Sequence, residues 1–97
     1  MIEIKQQALD DLREIADHIA RDSPDRAESF VAGMLDRIVW VGENPRLYPV
    51  RLQWKTGLRS ANYGRYRILY RSNEDDVVFL RIVHTSRDIA AIIEETE

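Results

Sequence analysis

Cysteine is absent from this chain, which excludes a disulfide framework and a thiolate metal site and leaves packing as the source of stability. Glycine is scarce, with four residues, too few for the glycine-rich loops that cradle phosphates. Neither a Gly-x-Ser-x-Gly elbow nor a P-loop or dinucleotide pattern occurs, so the common hydrolase and nucleotide-binding signatures are missing. No apolar run approaches the ~20 residues needed to cross a bilayer. The start, Met1-Ile2-Glu3-Ile4-Lys5, lacks the charged-then-apolar layout of a secretory signal. These absences predict a soluble, cytoplasmic protein with no membrane partner. Only two histidines occur: His18 falls on the polar side of a predicted helix, and His84 lies far along the chain. No metal site and no cofactor is expected.

What is present suits a single domain over residues 1–97, because 44% hydrophobic and 32% charged residues describe an ordinary globular chain. The net charge of -3 hides an asymmetry. Residues 1–44 hold ten acids against five Lys/Arg, whereas residues 45–97 hold nine Lys/Arg against seven acids. Within the second part, Arg46, Arg51, Lys55, Arg59, Arg65, Arg67 and Arg71 succeed one another with no acid between them.

Ile2 and Ile4 alternate with Glu3 and Lys5, the period of a short strand. From Gln7 the period lengthens: Leu9, Leu12, Ile15, Ala16, Ile19 and Ala20 predict an amphipathic helix to about Arg21, with Asp10, Asp11, Arg13, Glu14 and Asp17 on its polar face. Ser23-Pro24 reads as an N-cap followed by proline in the first turn of a second helix. Its stripe of Ala27, Phe30, Val31, Met34, Leu35, Ile38 and Val41 ends at Gly42 and Asn44-Pro45. The short link predicts an antiparallel helical hairpin. Residues 45–56 read as an irregular crossing anchored by Trp54. Three strands follow, over Gly57 to Tyr63, Arg65 to Arg71 and Asp76 to His84, joined as an antiparallel meander by short polar turns. Strict alternation places Tyr66, Ile68 and Tyr70 on one face of the middle strand. It places Val78, Leu80, Ile82 and His84 together on the last, opposite Val77, Phe79, Arg81 and Val83. One face is expected to pack on the hairpin and the other to carry arginines. A short helix from Arg87 to Glu95 completes the chain. The fold class is α+β: an N-terminal strand, an antiparallel helical hairpin packed on a mainly antiparallel sheet with a three-stranded C-terminal meander, and a short C-terminal helix.

The acid pairs Asp10-Asp11 and Glu74-Asp75-Asp76 sit on a helix face and in a turn, where charge is ordinarily solvated, and they receive no catalytic role. The arginine-bearing sheet with His84 at its exit is the one constellation with chemical scope. Arginines bind phosphodiesters through charge-assisted hydrogen bonds, and a histidine transfers protons at neutral pH. A single arginine on a sheet ordinarily lies over apolar neighbours or pairs with an acid. The acid-free run of seven is a different matter: it reads equally as an interaction surface, for nucleic acid or for an acidic protein segment.

Taken in order, Ala8-Leu9-Asp10-Asp11-Leu12-Arg13-Glu14-Ile15, Gly57-Leu58-Arg59, Tyr63-Gly64-Arg65-Tyr66-Arg67-Ile68-Leu69-Tyr70-Arg71 and Val78-Phe79-Leu80-Arg81-Ile82-Val83-His84 followed by Arg87-Asp88 resemble the RelE/ParE toxin superfamily of type II toxin-antitoxin systems. The resemblance spans nearly the whole chain. It implies one of two activities on a shared scaffold. The RelE-like branch cuts mRNA on the ribosome, a metal-independent endoribonuclease in which Arg59, Arg81 and His84 of this chain would serve. The ParE-like branch is not enzymatic: it binds DNA gyrase and blocks replication. No tyrosine follows Tyr70, lysine occurs only at 5 and 55, and the two long helices match the ParE-like pattern, which is the branch favoured. A non-toxic relative that binds an antitoxin is the further alternative. The resemblance also implies a ParD-like antitoxin as partner, and charge alone nominates Arg59, Arg67, Arg81 and Arg87 as its contacts. No sequence-specific DNA binding by this chain is expected.

Overall fold

The computed structural model describes residues 1–51 and 57–96. The expected anchor Trp54, and Lys55 of the cationic run, lie outside the described residues. The order of elements is β1 (Ile2–Ile4), α1 (Gln6–Ala20), α2 (Pro24–Glu43), a single 3-10 turn (Pro45–Leu47), β2 (Leu58–Tyr63), β3 (Tyr66–Ser72), β4 (Val77–His84) and α3 (Ile89–Thr96). The fold is α+β, as the residue pattern predicts. One four-stranded sheet has the order β1-β4-β3-β2, with β1 parallel to β4 and the other pairs antiparallel.

Local signals explain the helix ends. Ser23 is extended and its hydroxyl accepts the Arg26 N–H at 3.2 Å, Pro24 opens α2, and Asp25 faces the helix dipole. At the other end the Asn44 N–H reaches the Trp40 and Val41 carbonyls and its side-chain amide donates to the Trp40 carbonyl at 2.9 Å, after which Pro45 cannot continue the helix. Gly42 lies inside the helix rather than ending it. A β-carbon there would collide with the Ile2 side chain, so this glycine lets β1 approach α2. Gly64, with φ of 57°, takes the first position of the two-residue turn between Tyr63 and Tyr66.

The principal core lies between the helical hairpin and one face of the sheet. Ala8, Leu12, Met34, Ile38 and Val41 meet Ala61, Ile68, Tyr70, Val77, Phe79 and Ile82 there. This set corrects the strict alternation expected of the last strand. Leu69 pairs with Arg81 but Tyr70 pairs with Phe79, so Leu80 is an extra residue, a β-bulge that reverses the facing of everything before it. Val77 and Phe79 therefore join Ile82 on the hairpin side, while Leu80 turns to the opposite side.

That opposite face is not simply an arginine surface. Leu58, Leu69 and Val83 form a second core with Ile89, Ile92 and Ile93 of α3, and Leu80 packs against it. Burial of the three isoleucines stabilises a helix whose eight residues would be marginal alone. It begins two residues later than expected because Asp88 caps it, accepting from the Ala90 and Ala91 N–H groups at 3.1 and 3.4 Å. Among the described residues no helix is long and apolar enough to cross a membrane.

Candidate interaction surface

β1 ends at Ile4, where the Lys5 N–H donates to the Phe79 carbonyl and the chain lifts away into α1. The later half of β4 is thus left without a strand on that side, and Asp11 of α1 takes the vacant place. Its Oδ2 accepts the Ile82 N–H at 2.9 Å and the Arg81 Nε at 2.8 Å, while Oδ1 accepts Arg81 Nη2 at 3.0 Å. Arg81 Nη1 continues to the Thr96 hydroxyl at 3.1 Å, so one guanidinium joins α1, β4 and α3. Both side chains of the pair are largely buried, at 13% and 14% exposure for Asp11 and Arg81. The hydrogen bond that Arg81 donates to Asp11 holds its guanidinium above its ordinary pKa against the opposing effect of burial. Asp11 therefore corrects the expectation of a solvated helix-face acid. Its spacing carried the signal: it lies three residues after Ala8 and four before Ile15, on the buried stripe.

Arg59 is likewise built into the scaffold. It pairs with Tyr70 across β2 and β3, and its Nη1 donates to the Tyr48 carbonyl of the crossing segment. Beside it the Tyr70 hydroxyl donates to the Pro45 carbonyl at 2.8 Å. Burial pushes that phenol up from 10.0 to about 12, opposed in part by the Arg59 charge.

His84 occupies another setting. In the cross-strand row Tyr63, Tyr66 and His84, its ring meets Tyr66 edge-to-face at 5.5 Å. Tyr66 and Tyr63 in turn meet Phe30 of α2 at 5.4 and 5.6 Å. The Tyr63 hydroxyl lies so close to α2 that a β-carbon at position 33 would displace it, and Arg37 lies over the Tyr63 ring while donating to the Asn62 carbonyl. His84 Nδ1 accepts the Ser86 N–H at 3.0 Å and lies 2.8 Å from the Ser86 hydroxyl. In the neutral ring the proton is therefore on Nε2. The Thr85 N–H donates to the Arg65 carbonyl at 2.9 Å, tying the turn after β4 to the turn between β2 and β3. Arg65 and Arg87, one on each of these turns, are exposed. Arg67, opposite Val83 and half-buried, points to the α3 side of the sheet.

Arg59, Arg81 and His84 thus lie in three separate cross-strand rows rather than one cluster. Arg59, Arg67, Arg81 and Arg87 do not form one cationic face either. What the linear pattern did not reveal is the aromatic base of Phe30, Tyr63 and Tyr66 beneath the two turns. It also did not reveal that α2 leaves Leu35, Val39 and Trp40 exposed, the last two at 53% and 46%. Leu9, assigned to the buried stripe of α1, is exposed as well.

The chain is similar to the solved structure of a chromosomal ParDE toxin-antitoxin system from P. aeruginosa, with a TM-score of 0.72 and 19% identity over 86% of this chain and 92% of that one. It is also similar to a chain of the toxin-antitoxin complex RelBE2 from Mycobacterium tuberculosis, with a TM-score of 0.53 and 28% identity over 87% of this chain and 95% of that one. Comparison with curated protein sequences gives no match. The family model for the ParE toxin of type II toxin-antitoxin systems, parDE, matches residues 2–89, and the chain belongs to that family.

Proposed function

We propose that this toxin acts by binding DNA gyrase, holding it on cleaved DNA and so blocking replication, and that a ParD-like antitoxin neutralises it. The match of residues 2–89 to the ParE toxin family carries this reading. The geometry supports it over an endoribonuclease: Arg59 is bonded to the Tyr48 carbonyl and Arg81 to Asp11 and Thr96, so two of the three groups that RNA cleavage would need serve the scaffold. His84 stands apart from both, three residues beyond Arg81 on the same strand, about 10 Å away.

The antitoxin is assigned two features of the surface. The exposed apolar line of Ala32, Leu35 and Val39 on α2, with Ala16 and Ala20 of α1 beside it, suits the apolar stripe of an amphipathic segment. The half-buried Arg67 suits an acidic side chain of the same partner, whereas Arg59 and Arg81 act on binding only by maintaining the fold. The deciding experiment is a gyrase supercoiling and cleavage assay run beside an in vitro translation assay. Accumulated gyrase-linked DNA breaks with intact transcripts are expected. Codon-specific mRNA cleavage with unaffected gyrase would overturn the proposal.

A further inference from the structure

The sheet is electrically polarised along its strands. At the end where β3 turns into β4 lie Glu74, Asp75 and Asp76; Glu43 and Arg46 line the same groove as Glu74 and Asp75, and the Met1 ammonium pairs with Asp76, which leaves acids in excess there. The opposite end, where β2 turns into β3 and β4 leaves for α3, carries Arg65 and Arg87. Residues 61–73 contain no acid, and residues 77–93 contain only Asp88. Asp88 is committed to the first N–H groups of α3, where the positive end of the helix dipole offsets its charge.

We propose that this basic end contacts the phosphate backbone of duplex DNA while the toxin is bound to gyrase, with Arg65 and Arg87 as the ionic contacts and the His84 Nε2–H as a further donor. The proposal rests on the gyrase reading above and names a second ligand within that complex. Three observations carry it. First, the two arginines are exposed on turns held together by the Thr85 to Arg65 backbone hydrogen bond, so they approach a ligand as one unit. Second, the turns stand on the packed rings of Phe30, Tyr63, Tyr66 and His84, which keeps the unit rigid. Acceptance of the Ser86 N–H at Nδ1 leaves the His84 proton on Nε2, the form that donates to a phosphate oxygen.

Third, charge polarity decides between a polyanion and a short acidic peptide. A molecule with acids at one end of its sheet and arginines at the other is oriented by an extended field, and DNA presents about one negative charge per 1.7 Å of axis. Two guanidinium groups on exposed turns can meet phosphates of such a repeating array in many registers along it. A peptide must instead place its carboxylates to match. The contact reads no bases, in keeping with backbone binding that is independent of sequence.

The test uses full-length toxin, gyrase and plasmid DNA, comparing wild type with R65Q/R87Q and R65K/R87K, each first checked for an unchanged thermal melt. Binding to DNA-free gyrase is measured by biolayer interferometry, and trapping by gel quantitation of cleaved plasmid across a salt series. R65Q/R87Q is expected to bind DNA-free gyrase as wild type does, to trap on the order of tenfold less cleaved DNA at physiological salt, and to show a log-log salt slope shallower by about 1.8, two phosphate contacts at ~0.9 each. R65K/R87K is expected to retain most of the trapping. Wild-type trapping by R65Q/R87Q overturns the proposal. So does weakened binding to DNA-free gyrase, which would make the surface a protein contact, or normal trapping with weakened affinity for the antitoxin, which would assign it to an acidic segment. A wild-type toxin that fails to bind gyrase removes the gyrase reading itself, an outcome distinct from all of these.

Discussion

Replacing Asp11 with alanine removes one carboxylate that serves three donors: Arg81 Nε at 2.8 Å, Arg81 Nη2 at 3.0 Å and the Ile82 N–H at 2.9 Å. The Arg81 guanidinium, 14% exposed, then keeps its Thr96 hydrogen bond and the weaker attraction of Glu95 and Glu14, and the Ile82 amide faces the truncated site with no strand beside it. Removing one partner of a buried ion pair costs about 3–5 kcal/mol, and an orphaned buried amide accounts for ~1–3 kcal/mol within that total. A domain of this size has roughly 5–15 kcal/mol of stability, so Asp11→Ala takes a large share of it. At roughly 4–8 °C per kcal/mol, the midpoint of thermal unfolding falls by at least about 12 °C. Urea denaturation of D11A, R81M and the double variant D11A/R81M measures the pair directly. The double variant removes the stranded charge, so it should be less destabilised than the sum of the singles by more than about 1.5 kcal/mol, beyond the ~0.5 kcal/mol tolerance of additivity. A D11A penalty below about 1 kcal/mol, or additive singles, would refute the reasoning.

Three further outcomes are expected. Tyr70 is neutral below 10.0, and its folded pKa is raised to about 12; the stability this difference represents is full below pH 10.0 and is lost as pH rises towards and past 12, because the unfolded chain ionises first. Denaturation midpoints measured from pH 9 upward should therefore fall less steeply in Tyr70→Phe, which at neutral pH loses only the Pro45 hydrogen bond, worth about 1 kcal/mol. Ile92→Ala opens the second core beneath α3 and should cost about 2–5 kcal/mol in urea, with dye binding to newly exposed apolar surface; a loss within 0.5 kcal/mol would mean that α3 is not packed as described. Gly33→Ala gains ~1 kcal/mol of helix propensity but expels the Tyr63 hydroxyl, so near-UV circular dichroism should report a displaced tyrosine even where the melting temperature barely moves.

The helical hairpin was legible because its signals are local. Ser23-Pro24, Asn44-Pro45 and the stripe of Ala27, Met34, Ile38 and Val41 act over one or two turns, and their physics does not depend on the rest of the chain. The meander was legible for the same reason, with Gly64 in its tight turn. The facing of β4 was not. Alternation assumes an unbroken ladder, and the bulge at Leu80 answers to two packing partners on opposite sides, the hairpin for Phe79 and α3 for Leu80. Leu9 and Leu35 read as core by spacing alone, yet they lie on the outer edge of the hairpin, because a sheet covers only part of each helix stripe.

Sequence by itself determined the α+β class, the order of elements, the separation of acidic from basic segments and the family pattern. All of these are written in neighbouring residues or in their order. Tertiary structure alone decided which arginines serve the scaffold and which face outward. Arg81 meets an acid 70 positions away on α1, and Arg59 meets a carbonyl of the crossing segment, whereas Arg65 and Arg87 are brought onto adjacent turns by strand pairing. The charge of a guanidinium is set by its chemistry, but what that charge contacts is set by long-range packing.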